Sequence, residues 1–184
     1  MIAVDAALLR DLIEAGQASP TLWTAARWLT ELGGASVLWA VTAVAAVLLW
    51  RDRRPRSAVL LVAITATGRL GIEVIKAATS RARPNLIEHE VFTSSHSLPS
   101  GHAANSMLVY LGLAMLAARG RPPVVAGAVV LSLLIGLTRP ILGVHWPSDV
   151  LAGWLWGAGW ALAAYGLARR WLEGERARPP SPPV

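Results

Sequence analysis

Thr138-Arg139-Pro140-Ile141-Leu142-Gly143-Val144-His145-Trp146-Pro147-Ser148-Asp149 joins two long apolar runs, and its reading decides the fold. The runs on either side, 122–138 and 150–168, carry no charged residue. Uncharged segments near the ~20 residues that cross a bilayer read as membrane helices. Ionisable residues are costly at such a boundary, so an Arg, a His and an Asp held there at fixed spacing mark a candidate site. The rest of the chain is read by asking what it brings to this trio.

The composition agrees with a membrane bundle. The 184 residues are 54% hydrophobic with mean hydropathy +0.49, too apolar for an ordinary soluble domain. The length implies one domain. The absence of Cys excludes a disulfide framework and a thiolate metal site. The formal charge of +6 comes from one Lys, Lys76, and sixteen Arg set in short clusters between apolar runs. That distribution marks membrane topology and argues against a nucleic-acid binder.

Residues 1–31 hold Asp5, Arg10, Asp11, Glu14, Arg27 and Glu31, too many charges for a span. Ala6, Leu9, Leu12 and Ile13 recur at helical spacing, so this segment is expected to be amphipathic and interfacial. No cleavable leader is expected from its first residues. Five spans follow, at 32–50, 57–75, 101–118, 122–138 and 150–168. The domain layout is therefore an interfacial segment over 1–31, a transmembrane domain over 32–168, and a basic, Pro-rich tail over 169–184, its last residues disordered. Gly153, Gly157 and Ala161 form a small-xxx-small face on the last span, which either packs a neighbouring helix or is merely tolerated in lipid.

Arg51, Arg53, Arg54 and Arg56, then Arg119 and Arg121, then Arg169, Arg170, Arg176 and Arg178 fall on one side of this topology. The positive-inside rule makes that side cytoplasmic. The 76–101 and 139–149 loops then share the extracytoplasmic face of a multi-pass protein of the cell membrane.

Three clusters meet on that face. Lys76 and Arg83, with Arg139, are cations at a low-dielectric boundary that need an anion, and Arg offers a planar fork suited to phosphate oxygens. Ser100-Gly101 follows Pro99 at a helix start, where free N–H groups and the positive dipole end favour an anion. His145 has Asp149 one helical turn on, so the carboxylate can bond one ring nitrogen and leave the other as nucleophile. His102 supplies the proton for the leaving oxygen. The set fits one phosphate bound without a metal or cofactor, hydrolysed in two steps through a phosphohistidine.

These residues fall in the order Lys76-x6-Arg83-Pro84, Pro99-Ser100-Gly101-His102, and Thr138-Arg139-x5-His145-x3-Asp149. Over residues 30 to 168 the chain resembles the type 2 phosphatidic acid phosphatase (PAP2) superfamily, whose signature is K-x6-RP, PSGH and SR-x5-H-x3-D. Thr138 stands where the family has Ser. The resemblance implies phosphate binding by Lys76, Arg83, Ser100, Gly101 and Arg139, an acid at His102, and a nucleophile at His145 oriented by Asp149. It also implies a membrane lipid phosphate or diphosphate as substrate, first undecaprenyl diphosphate, then phosphatidylglycerophosphate or phosphatidate. A lipid-linked phosphotransferase is the runner-up. Bacterial members with six spans suggest that the first span is lacking here. The lipid is expected to enter sideways from the bilayer, past the apolar flanks of the second, third and fifth spans. Outside the motifs, Arg81 is read as a headgroup or snorkelling charge. Arg69 and Glu73 are read as a buried ion pair positioning Lys76, and His89 and His96 as solvated loop residues. Of nine Trp, Trp146 alone is expected to touch substrate.

Overall fold

In the computed structural model, which describes residues 2–87 and 96–176, the described chain is all helix, without a strand. Seven helices run in order α1 (Ile2–Ala18), α2 (Pro20–Glu31), α3 (Ala35–Arg51), α4 (Pro55–Thr79), α5 (Gly101–Leu116), α6 (Pro122–Ile141) and α7 (Pro147–Arg176). His89 and the end of the tail lie outside the described residues. Helices α4, α6 and α7 are each long and apolar enough to cross a membrane. Helices α2 and α3 pass that test as one broken span, bent by 49°. The third expected span is α5, at 16 residues the shortest of the five. Proline opens α2, α4, α6 and α7, where its missing N–H costs no hydrogen bond.

The bundle is organised around α5, which packs against α3, α4, α6 and α7. Its residues Ala104, Met107, Leu108, Leu111, Met115 and Leu116 are buried, and they join Leu61, Ile64 and Ile72 of α4 in one core. The outer helices instead expose Val44, Leu48, Val62, Leu70, Val130, Leu155 and Leu162. An apolar belt of that kind is stable only against acyl chains.

The glycine face of α7 is a packing face. A Cβ on Gly157 would stand 2.5 Å from the Ala104 carbonyl oxygen, and one on Gly153 would stand 2.7 Å from that of Ser100. Backbone cannot yield as a side-chain tip does, so α5 and α7 lie this close only because glycine is there. Gly157→Val is therefore expected to cost about 2–3 kcal/mol by overpacking, read as a lower thermal midpoint in detergent. Gly159, with nothing within 4 Å of a built Cβ, is the control, and Gly159→Ala should not lower that midpoint.

Two helix ends differ from expectation in ways that shape the site. Helix α6 runs on through Thr138, Arg139 and Pro140, so Arg139 projects from a last helical turn and not from a loop. Gly143 then turns the chain at φ +70°, where a Cβ would also meet Ile87 at 2.7 Å, and His145 follows. At the other end of the bundle, Glu175 of the long α7 accepts from the Arg56 N–H (2.7 Å) and Ser57 Oγ (2.6 Å). That carboxylate caps the free donors at the start of α4.

Helices α1 and α2 do more than lie at an interface. Both pack on α6, and α1 also reaches α7. Leu9 and Ile13 are buried, and Ile13 lies beside the Gly143 turn. The first two helices thereby wall the end of the bundle that carries the motifs.

Candidate active site

The ends of α4 and α6 and the starts of α5 and α7 meet at one end of the bundle, with every motif residue among them. Two connections hold the meeting point. The Ser100 N–H donates to the Asp149 carbonyl oxygen (2.9 Å), tying α5 to the first turn of α7. The Ser97 N–H donates to the Arg81 carbonyl oxygen (2.8 Å), and Thr79 Oγ1 donates to that of Leu98 (3.1 Å). The 79–83 and 97–100 segments therefore run together.

Within this frame Arg83, His145 and Asp149 form one chain of contacts. Arg83 Nη1 lies 2.9 Å from His145 Nε2 and 2.8 Å from the Val144 carbonyl oxygen. Arg has donors only, so Nε2 must accept and the ring proton sits on Nδ1. Nδ1 faces Asp149 Oδ2 at 3.4 Å. This is the tautomer a nucleophilic Nε2 requires, with Arg83 resting on its lone pair. Asp149 is fully buried. Its Oδ2 also accepts from the Trp146 N–H (2.9 Å) and from Ser97 Oγ, while Oδ1 pairs with Arg81 at 2.6 Å.

Burial pushes the His145 ring down to about 4, opposed by the bond to Asp149 and reinforced by the charges of Arg83 and Arg139. The ring is thus neutral at pH 7. Histidine-labelled NMR, with His145→Ala identifying the resonance, is expected to show this ring titrating near 4. A midpoint near the unperturbed ~6.5 would contradict the assignment.

The remaining motif residues converge on the same place. Gly101 sits so close to Lys76 that a Cβ there would stand 3.6 Å from Nζ. The ammonium thus faces the N-terminal end of α5, where the helix already carries positive potential. Arg139, 2% exposed, donates through Nη1 to Thr30 Oγ1 of α2 (2.6 Å). Its Nε and the Ser100 hydroxyl are the two buried side-chain polar atoms without a partner among the described residues. Buried groups of this kind cost stability unless something satisfies them. An anion between Lys76, Arg83, Arg139 and the start of α5 would satisfy both. The His102 ring lies against Gly33, where a Cβ would stand 3.1 Å from Cδ2, at the bend between α2 and α3. Among the described residues no group of three His, Asp or Glu could hold a metal ion; the countercharge for an anion comes from the cations.

Some expectations change. Glu73 is no buried partner: its side chain is 53% exposed, 4.0 Å from Lys76. Trp146 spends its indole N–H on the Ala82 carbonyl oxygen (3.1 Å) and lies under the Arg81 guanidinium at 5.6 Å, clasping the two loops together. Arg81 is no lipid-facing charge, since it binds Asp149, Ser148 and Asp5. Ser97, Thr30 and Asp5 carried no assignment from sequence. For Asp5 a signal existed, because it lies on the same helical stripe as the buried Leu9 and Ile13. His96 is exposed, as expected of a solvated loop residue.

The chain is thus a multi-pass membrane bundle with a buried histidine–carboxylate pair, ringed at one end by an ammonium and guanidinium groups. The PAP2 superfamily profile matches residues 56–173, and the chain belongs to that family. It is 31% identical over 140 residues to phosphatidylglycerophosphatase B of Bacillus subtilis, covering 70% of this chain and 66% of that protein. It is 29% identical over 130 residues to the undecaprenyl-diphosphatase of Sulfolobus acidocaldarius, covering 68% and 61%. The chain thus spans a little under two thirds of the length of these curated relatives. Among solved structures, a transmembrane PAP2-type phosphatidylglycerolphosphate phosphatase from Bacillus subtilis superposes with a TM-score of 0.83 at 27% identity, covering 91% of this chain and 86% of that one.

Proposed function

We propose that the chain is a lipid phosphatase that removes phosphate from a membrane lipid phosphate or diphosphate at the extracytoplasmic face of the cell membrane. One observation carries this reading. His145 presents Nε2, through Arg83, to a site where the Arg139 Nε and the Ser100 hydroxyl are buried without partners. A phosphoryl group placed there receives hydrogen bonds from both and meets the three cations Lys76, Arg83 and Arg139.

In the first step Nε2 of His145 attacks the terminal phosphorus, and its bond to the leaving oxygen breaks, the lipid oxygen of a monophosphate or the bridging oxygen of a diphosphate. His102 gives its proton to the departing oxygen. The Asp149 carboxylate, which faces the Nδ1 proton, balances the positive charge that the ring acquires. In the second step water attacks the phosphohistidine, giving its proton to His102, and the phosphorus–nitrogen bond breaks to release phosphate. Lys76, Arg83, Arg139, Ser100 and the backbone of Gly101 hold the phosphoryl oxygens throughout. The site lies at the end opposite Arg51, Arg53, Arg54, Arg119 and Arg121, which supports the outer face.

Undecaprenyl diphosphate is the first substrate assignment, in line with the relative of that name. Phosphatidylglycerophosphate is the second, favoured by the likeness over 91% of the chain to a solved phosphatase of that lipid. The test is phosphate release by the purified protein across a panel of lipid phosphates and diphosphates, in EDTA. Release is expected from at least one panel member without added metal. Strict dependence on a divalent ion, or no release from any lipid, would overturn the reading. Phosphoryl transfer to an added alcohol, with little free phosphate released to water, would mark a phosphotransferase.

A further inference from the structure

We propose that Asp5 and Arg81 are positioning residues, through which helix α1 fixes the Asp149 carboxylate against His145. This rests on the phosphatase reading above. Arg81 spans two carboxylates: Nη1 lies 2.6 Å from Asp149 Oδ1 and Nη2 lies 2.8 Å from Asp5 Oδ2. Asp5 in turn accepts from the Ser148 N–H (2.9 Å) and from the Ser148 hydroxyl. Ser148 is the residue before Asp149, in the first turn of α7. Asp5 therefore holds that turn twice, once through its backbone and once through the guanidinium.

The geometry argues for positioning and against two simpler roles. A substrate-binding arginine turns its fork to the ligand, but Arg81 gives both Nη1 donors to Ser148 Oγ and Asp149 Oδ1 and an Nη2 donor to Asp5. A mere surface ion pair would not end on a carboxylate with no exposure. Oδ2 of Asp149 is committed to Ser97, the Trp146 N–H and His145, so the orientation of the carboxylate is set by what holds Oδ1. Burial pushes the Asp5 carboxyl up, but the bonds from Ser148 and Arg81 prevail and hold it below its ordinary range. It is the anion that keeps Arg81 from drawing Asp149 away from the imidazole. Leu9 and Ile13, buried one and two turns further along α1, fix the height at which Asp5 arrives.

The test measures kcat and KM for lipid phosphate release by the full chain in detergent, for wild type, Arg81→Met, Arg81→Lys, Asp5→Asn and Arg81→Met/Asp5→Asn, with thermal midpoints. His145→Ala serves as the inactive reference. Misplacing a catalytic group by about an ångström costs up to ~100-fold, so Arg81→Met is expected to lower kcat roughly 10–100-fold at near-constant KM. Asp5→Asn, which keeps shape and loses charge, should lower kcat several-fold with an unmoved midpoint. Arg81→Lys should recover part of the loss, since one ammonium reaches one carboxylate. The double variant should be no worse than Arg81→Met, because both act through one contact. Unchanged kcat in Arg81→Met and Asp5→Asn, while wild type is active and His145→Ala is not, overturns the positioning role alone. So does a raised KM at constant kcat, which would make Arg81 a substrate ligand. Equal activity in His145→Ala and wild type instead overturns the phosphatase reading, and this proposal with it.

Discussion

His145→Ala is expected to abolish phosphate release, by roughly 10⁴–10⁶-fold, the scale on which removing a nucleophile acts. The ring is 2% exposed, so its truncation leaves a cavity; the variant should still insert, with a thermal midpoint below the wild-type one. The sharper readout is the intermediate. Wild type quenched during turnover of a radiolabelled lipid phosphate should carry an acid-labile, alkali-stable label on protein, and His145→Ala should carry none. His102→Ala separates the two histidines. It should label poorly with a lipid leaving group but regain labelling with an aryl phosphate, whose oxygen departs without a proton. Label surviving in His145→Ala would move the nucleophile elsewhere and dissolve the proposed mechanism.

The two histidines also show what sequence can and cannot carry. The pairing of His145 with Asp149 was legible because the spacing is local: four residues span the entry into α7 and bring the carboxylate to the imidazole. The apolar runs were legible for the same reason, and the helices over 57–75 and 122–138 follow them with ends shifted by a few residues. The reach of α6 through Arg139 and Pro140 was hidden, because proline suggests a break and only its place in the last turn makes it tolerable. What stayed illegible is pairing across long separations. Thr30 meets Arg139 across 109 positions and Asp5 meets Ser148 across 143. No period or motif links such partners. The segment 1–31 therefore read as an independent surface element, when its polar side chains bear on both Arg139 and, through Arg81, the Asp149 carboxylate.

Asp149→Asn is expected to lower kcat about 10³–10⁴-fold with KM little changed, the effect of an amide in place of the orienting carboxylate of a triad. The volume is kept, so the cause is hydrogen-bond polarity. Every neighbour of the Asp149 carboxylate is a donor: Arg81 at Oδ1, and Ser97 Oγ, the Trp146 N–H and His145 Nδ1 at Oδ2. An amide has one oxygen and one nitrogen, so some donor must face a donor in either orientation. With the NH2 towards His145, Nδ1 becomes the acceptor and the ring proton moves to Nε2. That proton blocks the nucleophile and collides with Arg83 Nη1, now 2.9 Å from an N–H. With the NH2 towards Arg81, the half-buried guanidinium loses one of its two anions and meets a donor at Nη1. Both routes disable chemistry while leaving Lys76, Arg139 and Ser100 to bind phosphate, which is why KM should hardly move. Histidine NMR offers the check independent of rate. In Asp149→Asn with the amide towards the ring, the His145 nitrogen pattern should switch from the Nδ1–H to the Nε2–H tautomer. A variant that keeps the Nδ1–H tautomer and loses less than tenfold in kcat would show that Asp149 serves the fold of the loop and not the aim of the histidine.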